Sequence, residues 1–342
     1  VKKKMLTIDG SYQEGGGQIL RTALALSVVT GTPFRIEKIR AGRKTPGLMR
    51  QHLTAVNAAA AISQADVVGN AIGSQELTFA PGKVLPGEYS FSVGTAGSTT
   101  LVFQTVLPAL LSAAKPSRLT LEGGTHNPAA PPYDFLEKAF LPLLRRMGAR
   151  VSTTLKRAGF YPAGGGQMEV VIEPASEFTP LDLSSRGEIR RRSARAIISH
   201  LPRKIAEREL AVIGKEFSWG EECLTIEACA SAGPGNVVLL EIESEQLTEV
   251  ISEFGERGVL AEAVADRAVK QARRYLAMGV AVGEHLADQL LLLMAILKGG
   301  RFSTLPPSRH TQTNIDIIRK FLPVDISVQE GERRAHTIEV RI

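Results

Sequence analysis

Cysteine is scarce in this chain, two residues in 342. Cys223 and Cys229 fit the spacing of neither a zinc pair nor a redox pair, so both thiols read as structural in a reducing, cytoplasmic setting. Long apolar runs are lacking too. The longest, LLLLMAIL at residues 290–297, has the length of a buried helix and is far short of a bilayer span, so a soluble protein with no membrane partner is expected. The basic opening VKKKMLTIDG leads into no apolar segment with a cleavage site and does not read as a secretion signal. Histidine is rare as well, six in all, which makes His310 conspicuous within the polar string PSRHTQTN. The plain alternative for it is a solvated surface histidine in a loop.

What the chain does have is 44% hydrophobic content, ample for real cores, and a length greater than one core usually serves. Two domains are therefore expected. Lysine and arginine exceed aspartate and glutamate by 41 to 35, and Arg21, Arg40, Arg43, Lys44 and Arg50 crowd one N-terminal region. Such a cluster suits a phosphate-rich partner.

One order of elements recurs three times: helix, strand, loop, helix, two strands. The first copy runs from the helical GQILRTALALSVVTG to the hairpin-like ADVVGNAIGSQELTFAPG. The second runs from GSTTLVFQTVLPALLSA through the single helix YDFLEKAFLPLLRRMG to GQMEVVIEP, and the third from GEHLADQLLLLMAILKGG to the C-terminal strands. Apolar residues recur at helical spacing in the helices and near-alternately in the strands, so each copy has one face to bury. The stretch 185–278 has its own strand and helix order and interrupts the series before the third copy. The expected fold is thus α+β, with a large domain of three repeated units at 1–184 and 279–342 and a small α+β domain inserted at 185–278.

Several loops carry chemistry. EGGGQILR places Glu14 before three glycines that open a helix, with Gln18 and Arg21 one turn in and on one face. A carboxylate beside phosphate-binding donors suggests a hard divalent cation. IRAGRKTPGLMRQH adds Arg40, Arg43, Gln51 and His52, and a solvated basic loop is its bland reading. VGTAGSTTLVFQT holds Gln104 on an otherwise apolar face, where a satisfied core amide is the common case. GGTHNPAAPPYDF offers a rigid, proline-rich wall for a flat base, and EHLADQL sets His285 and Asp288 one turn apart with Gln289 beside them.

Taken in order, EGGGQILR, IRAGRKTPGLMRQH, GTAGSTTLVFQT, GGTHNPAAPP, GFYPAGGG, HLADQ and PPSRHTQTN resemble the RNA 3′-terminal phosphate cyclases over essentially the whole chain. The resemblance implies an ATP-dependent reaction in which an RNA 3′-phosphate becomes a 2′,3′-cyclic phosphodiester through an enzyme–AMP intermediate, with His310 as the nucleophile. It also implies Glu14 as ligand of a divalent cation, magnesium or manganese, and Arg21, Arg40 and Arg43 as clamps on the triphosphate and the RNA phosphate. Gln18, Gln51 and His52 would line the same pocket. Gln104 and the stretch His285, Leu286, Ala287, Asp288, Gln289 would form the nucleotide site, with Pro131 on one face of adenine. Family members often carry tyrosine at the position of His285. A hydroxyl or amide should fix the tautomer of His310, and Ser308, Thr311, Thr313 and Asn314 are all candidates. Two rival readings share the architecture: a noncatalytic cyclase-like factor of ribosome assembly, and an enolpyruvyl-type transferase. Neither accounts for the His310 string.

Overall fold

The computed structural model describes residues 3–175 and 177–342. The chain opens with β1 (Leu6–Asp9) and helix α1 (Gly17–Thr30), whose end is set by Gly31 in the left-handed conformation, φ 65°. There follow β2 (Phe34–Glu37), α2 (Arg50–Ser63), β3 (Asp66–Val68) and β4 (Leu77–Ala80), which form a sheet in the order β1-β2-β4-β3. The first pair is parallel and the other two antiparallel.

A second sheet repeats this plan. After β5 (Glu88–Ser92) come α3 (Thr99–Leu111), β6 (Ser117–Gly123), the short helix α4 (Tyr133–Phe135), a π-helical turn Leu136–Phe140, α5 (Leu141–Arg146), β7 (Arg150–Arg157) and β8 (Gly166–Glu173). The strand order is β5-β6-β8-β7, with the same pattern of parallel and antiparallel pairs. The segment from Tyr133 reads in sequence as one uniform helix. Pro142 lies one residue into α5 and has no N–H to donate, and the widened turn just before it absorbs the missing bond.

A third sheet begins with β9 (Leu181–Leu183), but the chain then departs into β10 (Ile189–Ser199), α6 (Arg203–Phe217), β11 (Leu224–Ala228), β12 (Gly235–Ser244), β13 (Thr248–Phe254) and α7 (Ala261–Met278). These four strands make a sheet of their own, β11-β10-β12-β13. The chain returns through α8 (Glu284–Ile296), β14 (Gly300–Thr304), α9 (Arg309–Phe321), β15 (Asp325–Glu330) and β16 (His336–Arg341). The third sheet is ordered β9-β14-β16-β15, again with its first pair parallel.

The strands β1, β5 and β9 stand outside the repeat as read from the sequence, which starts each copy at a helix. They are three to five residues long, too short for an alternating pattern to stand out. Because β9 precedes the interruption, residues 185–278 enter between the first strand and first helix of the third series.

One core joins the helices of the three sheets, with Leu20, Leu24, Phe34, Phe103, Leu107, Phe140, Leu290, Phe302 and Ile318 at its centre. A second core lies between the fourth sheet and α6 and α7, built on Ala194, Ala196, Val238, Leu240, Ala265 and Ala268. Alternation along β12 divides the two, since Val238 and Leu240 face α6 and α7 while Val237 and Leu239 join the main core.

Candidate active site

The N-terminal ends of α1 and α9 and the loop 38–48 meet around His310. Two neighbouring glycines serve this site by lacking a side chain. Gly16, the N-cap of α1, gives its N–H to Glu14 Oε2 at 2.8 Å, and a side chain on Gly17 would run into the His52 ring and the Arg21 guanidinium. The Glu14 carboxylate is almost wholly covered, and its other oxygen pairs with Arg43.

His310 is the second residue of α9 rather than part of a loop. The helix starts earlier than the sequence suggests because Ser308 caps it, its hydroxyl accepting from the Thr311 N–H at 3.1 Å. The imidazole is about half exposed, and its Nδ1 is hydrogen-bonded to Gln18 Oε1. An amide oxygen only accepts, so Nδ1 carries the ring proton and Nε2 keeps its lone pair. That free nitrogen is 3.9 Å from Glu14 Oε1. Partial burial, then the positive charges of Arg21 and Arg43, holds the ring below the usual imidazole pKa.

The tautomer is therefore set by Gln18, not by the residues beside His310, all of which are engaged elsewhere. Thr311 donates to Asp288 Oδ1 at 2.5 Å, Ser308 to the same oxygen at 3.5 Å, and Thr313 to the backbone oxygen of Arg309 at 2.6 Å. Asn314 accepts from Thr22 at 2.6 Å and donates to the Asp288 backbone oxygen at 3.1 Å, tying α9 to α1 and α8.

The surrounding charge is positive and largely uncompensated. Burial lowers the Arg21 pKa to about 10, and among the described residues no carboxylate pairs with it. Arg40 spends one nitrogen on its own loop, donating to Thr45 O at 2.7 Å and Gly47 O at 2.8 Å. His52 is buried, and burial followed by Arg21 and Arg40 pushes its pKa down to about 3, so it is neutral at physiological pH. Its Nδ1 accepts from the Met49 N–H at 3.3 Å, which leaves the proton on Nε2, beside Gly17. An anion entering this space meets donors and cations on several sides.

Gln51 accepts from the N–H of Ser98, the N-cap of α3, at 3.1 Å. Beyond it, Thr100 donates to the backbone oxygen of Pro131 at 2.7 Å, and Gln104 is half-buried with its Nε2 lacking any protein partner. An unpaired buried amide donor suits a base edge. On α8, His285 and Gln289 are accessible and Asp288 is buried, with burial, then Glu284, raising its pKa to about 7. Leu286 and Ala287 turn their side chains into the core. A cavity of about 270 Å³ opens beside His285 and is also lined by Glu249, Arg274, Tyr275 and Glu284.

Residues 12–328 match the family described as RNA 3′-terminal phosphate cyclase. The chain belongs to this family. Proteins named RNA 3′-terminal phosphate cyclase from Koribacter versatilis and Ectopseudomonas mendocina are each 53% identical to it, over 97% and 100% of this chain and 94% and 99% of theirs. One from Salmonella agona is 50% identical over 96% of this chain and 95% of its own. Among solved structures, the enolpyruvyl transferase NikO from Streptomyces tendae aligns with a TM-score of 0.36 at 13% identity, over 98% of this chain and 48% of that one. No helix among the described residues is long and apolar enough to cross a membrane.

Sequence reasoning missed Thr22, Ser98 and Thr100, which tie α1 to α9, α3 to α2 and α3 to the Pro131 loop. Each stands next to a residue the motifs did single out or within the same small-residue turn, but a short hydroxyl side chain carries no signal of its partner. The role of Asp288 in holding the His310 turn was equally hidden.

Proposed function

We propose that the protein uses ATP to convert an RNA 3′-terminal phosphate into a 2′,3′-cyclic phosphodiester through AMP held covalently on His310. The Gln18–His310 hydrogen bond carries this reading, because it leaves Nε2 as a free nucleophile in a basic pocket at the start of a helix. In the first step Nε2 forms a bond to the α-phosphorus and the bond to the pyrophosphate oxygen breaks. An oxygen of the RNA 3′-phosphate then takes AMP from the imidazole. Finally the neighbouring 2′-hydroxyl attacks the activated phosphorus, closing the ring, releasing AMP and giving its proton to solvent. Carried on the ribose carbon next to the one that bears the phosphate, that hydroxyl needs little more than positioning.

Arg21, Arg40 and Arg43 would neutralise charge gathering on the phosphate oxygens. Pro131, Gln104 and His285 would hold the nucleobase, with Gln289 and the backbone of Leu286, Ala287 and Asp288 beside it. Gln51 and His52 shape the floor between the two halves of the site. Glu14 is a fitting holder for magnesium or manganese: its carboxylate is buried next to the pocket, although it is a single ligand, so phosphate oxygens and water would complete the shell. Bound there, the cation would add Lewis-acid polarisation of the phosphate. We read residues 185–278 as an inserted domain, supported by their separate sheet and core.

ATP labelled on the α-phosphate should leave acid-labile label on the protein, and His310→Asn should abolish it while the thermal midpoint stays close to that of the parent. Absence of label on the parent protein, or normal labelling of the variant, overturns the mechanism. A binding-only role would leave the pairing of Gln18 with His310 without use.

A further inference from the structure

The fourth sheet reaches the proposed nucleotide site through one buried chain of polar groups. On β10, Ala194 and Ala196 face α6 and α7, so Arg195 between them points the other way. Its guanidinium, about one-fifth exposed, meets three carboxylates: Asp134, Glu227 at 2.8 Å and Glu241 at 3.1 Å. Asp134 stands at the end of the proline-rich loop and uses its second oxygen on His126 Nε2, 2.9 Å away. His126 is buried, with Nδ1 2.8 Å from Thr125 Oγ1. That hydroxyl already accepts from the Gly159 N–H at 2.9 Å, so its proton is free for Nδ1, and the ring proton sits on Nε2 to be donated to Asp134. Against the cost of burial, His126 and Arg195 together hold the Asp134 carboxyl well below the usual range. The chain is satisfied from end to end.

The same groups close the loop that contains Pro131. The Tyr133 N–H donates to Thr125 O at 2.9 Å, which brings the two ends of the segment 125–133 together. Within it, Ala129 adopts a left-handed φ of 58°, and Pro131 O takes the Thr100 hydroxyl. A loop with few apolar anchors and one strained residue keeps a single shape only if its ends are fixed. Thr100 fixes the middle, from α3, and the Arg195 chain fixes the ends, from the fourth sheet.

We propose that Arg195 is a positioning residue: through Asp134 and His126 it sets the 125–133 loop, and with it the Pro131 wall, at the spacing a nucleobase requires. This rests on the reading of Pro131 as one face of the adenine site. It gives residues 185–278 a part in nucleotide binding although none of the residues expected to touch ATP belongs to them.

The test measures KM for ATP in self-adenylylation, inhibition by inorganic tripolyphosphate, and the thermal midpoint, for Arg195→Met and Asp134→Asn. Loss of one charge-assisted link should raise KM for ATP roughly tenfold. Tripolyphosphate has no base to touch the wall, so its inhibition should stay unchanged in both variants, and Arg195→Lys should recover part of the loss. Arg273→Ala, which breaks the Glu216 pair on the outer helices of the same segment, should leave KM for ATP as it was. Equal weakening of ATP and tripolyphosphate, or a lowered thermal midpoint with KM unchanged, overturns the proposal. If Arg195→Met fails to fold, the isosteric Asp134→Asn decides alone. Pro131→Gly separates the two levels: an unchanged KM for ATP sinks the wall itself, whereas a raised KM there with a normal one in Asp134→Asn sinks only the brace.

Discussion

At the scale of single residues, a histidine becomes a nucleophile through what its other nitrogen touches. Of the string around His310, Ser308, Thr311, Thr313 and Asn314 are each of a type that could orient the ring. In the fold all of them turn inward, to Asp288, to Thr22 or to the backbone of Arg309, and build the turn that carries the histidine. The orienting group comes from Gln18, far away in sequence, on a different helix. Gln18→Leu keeps the volume and removes the acceptor, so Nδ1 and Nε2 compete for the proton and the reactive tautomer is no longer favoured. Labelling of the protein by ATP should fall roughly 10- to 100-fold, the range seen when a partner that fixes an imidazole is lost, with little change in thermal midpoint. Labelling at the parent rate would mean that the ring is oriented by something else. Which residue types could act was legible in the string itself; which one does depends on a contact that no local pattern records.

At the scale of elements, the site is made by helix ends, and what holds those ends is buried acid. Asp288 on α8 accepts from both hydroxyls of the α9 cap, and Glu249 on β13 accepts the Gly283 N–H, at the start of α8, at 2.8 Å. Burial raises the pKa of Glu249 to about 8 and that of Asp288 to about 7. Both folded-state values lie above the ordinary carboxyl values, so between those limits the folded protein holds protons that the unfolded chain has released. Stability should therefore decline as pH rises from the ordinary carboxyl range to about 8, and level off above it. Glu249→Gln can still accept the Gly283 N–H and cannot ionise. Thermal melts at pH 5 and pH 9 should show the variant gaining on the parent at the higher pH. A constant difference between them at both pH values would show that Glu249 is not the group responsible. The sequence reading placed α8 well; that a glutamate far along the chain sits beneath its first turn follows only from the packing of β13.

At the scale of the whole molecule, three sheets of one plan share a core, and a fourth leans on it and joins it through Val237 and Leu239. The reaction proposed for this frame needs a ribose end, since only a 2′-hydroxyl can expel AMP from the activated phosphate. An oligonucleotide ending in a 3′-phosphate on 2′-deoxyribose should still accept AMP from His310, and the adenylylated end should accumulate; the matching ribose end should pass through to cyclic product. Chromatography of the two reactions checks this, and failure of the capped deoxy end to appear would break the assigned order of steps. The amino-acid sequence by itself determined the α+β class and the family, because periodicity, glycine turns and ordered motifs are local properties of a chain. Only the tertiary structure decided that β1, β5 and β9 lead their sheets, that Gln18 rather than a neighbour orients His310, that Asp288 holds the turn below it, and that Arg195 reaches the Pro131 loop. Each of these depends on side chains brought together across long stretches of sequence, where the energy lies in burial and in hydrogen bonds made between elements, and such pairings leave no periodic trace in the string that encodes them.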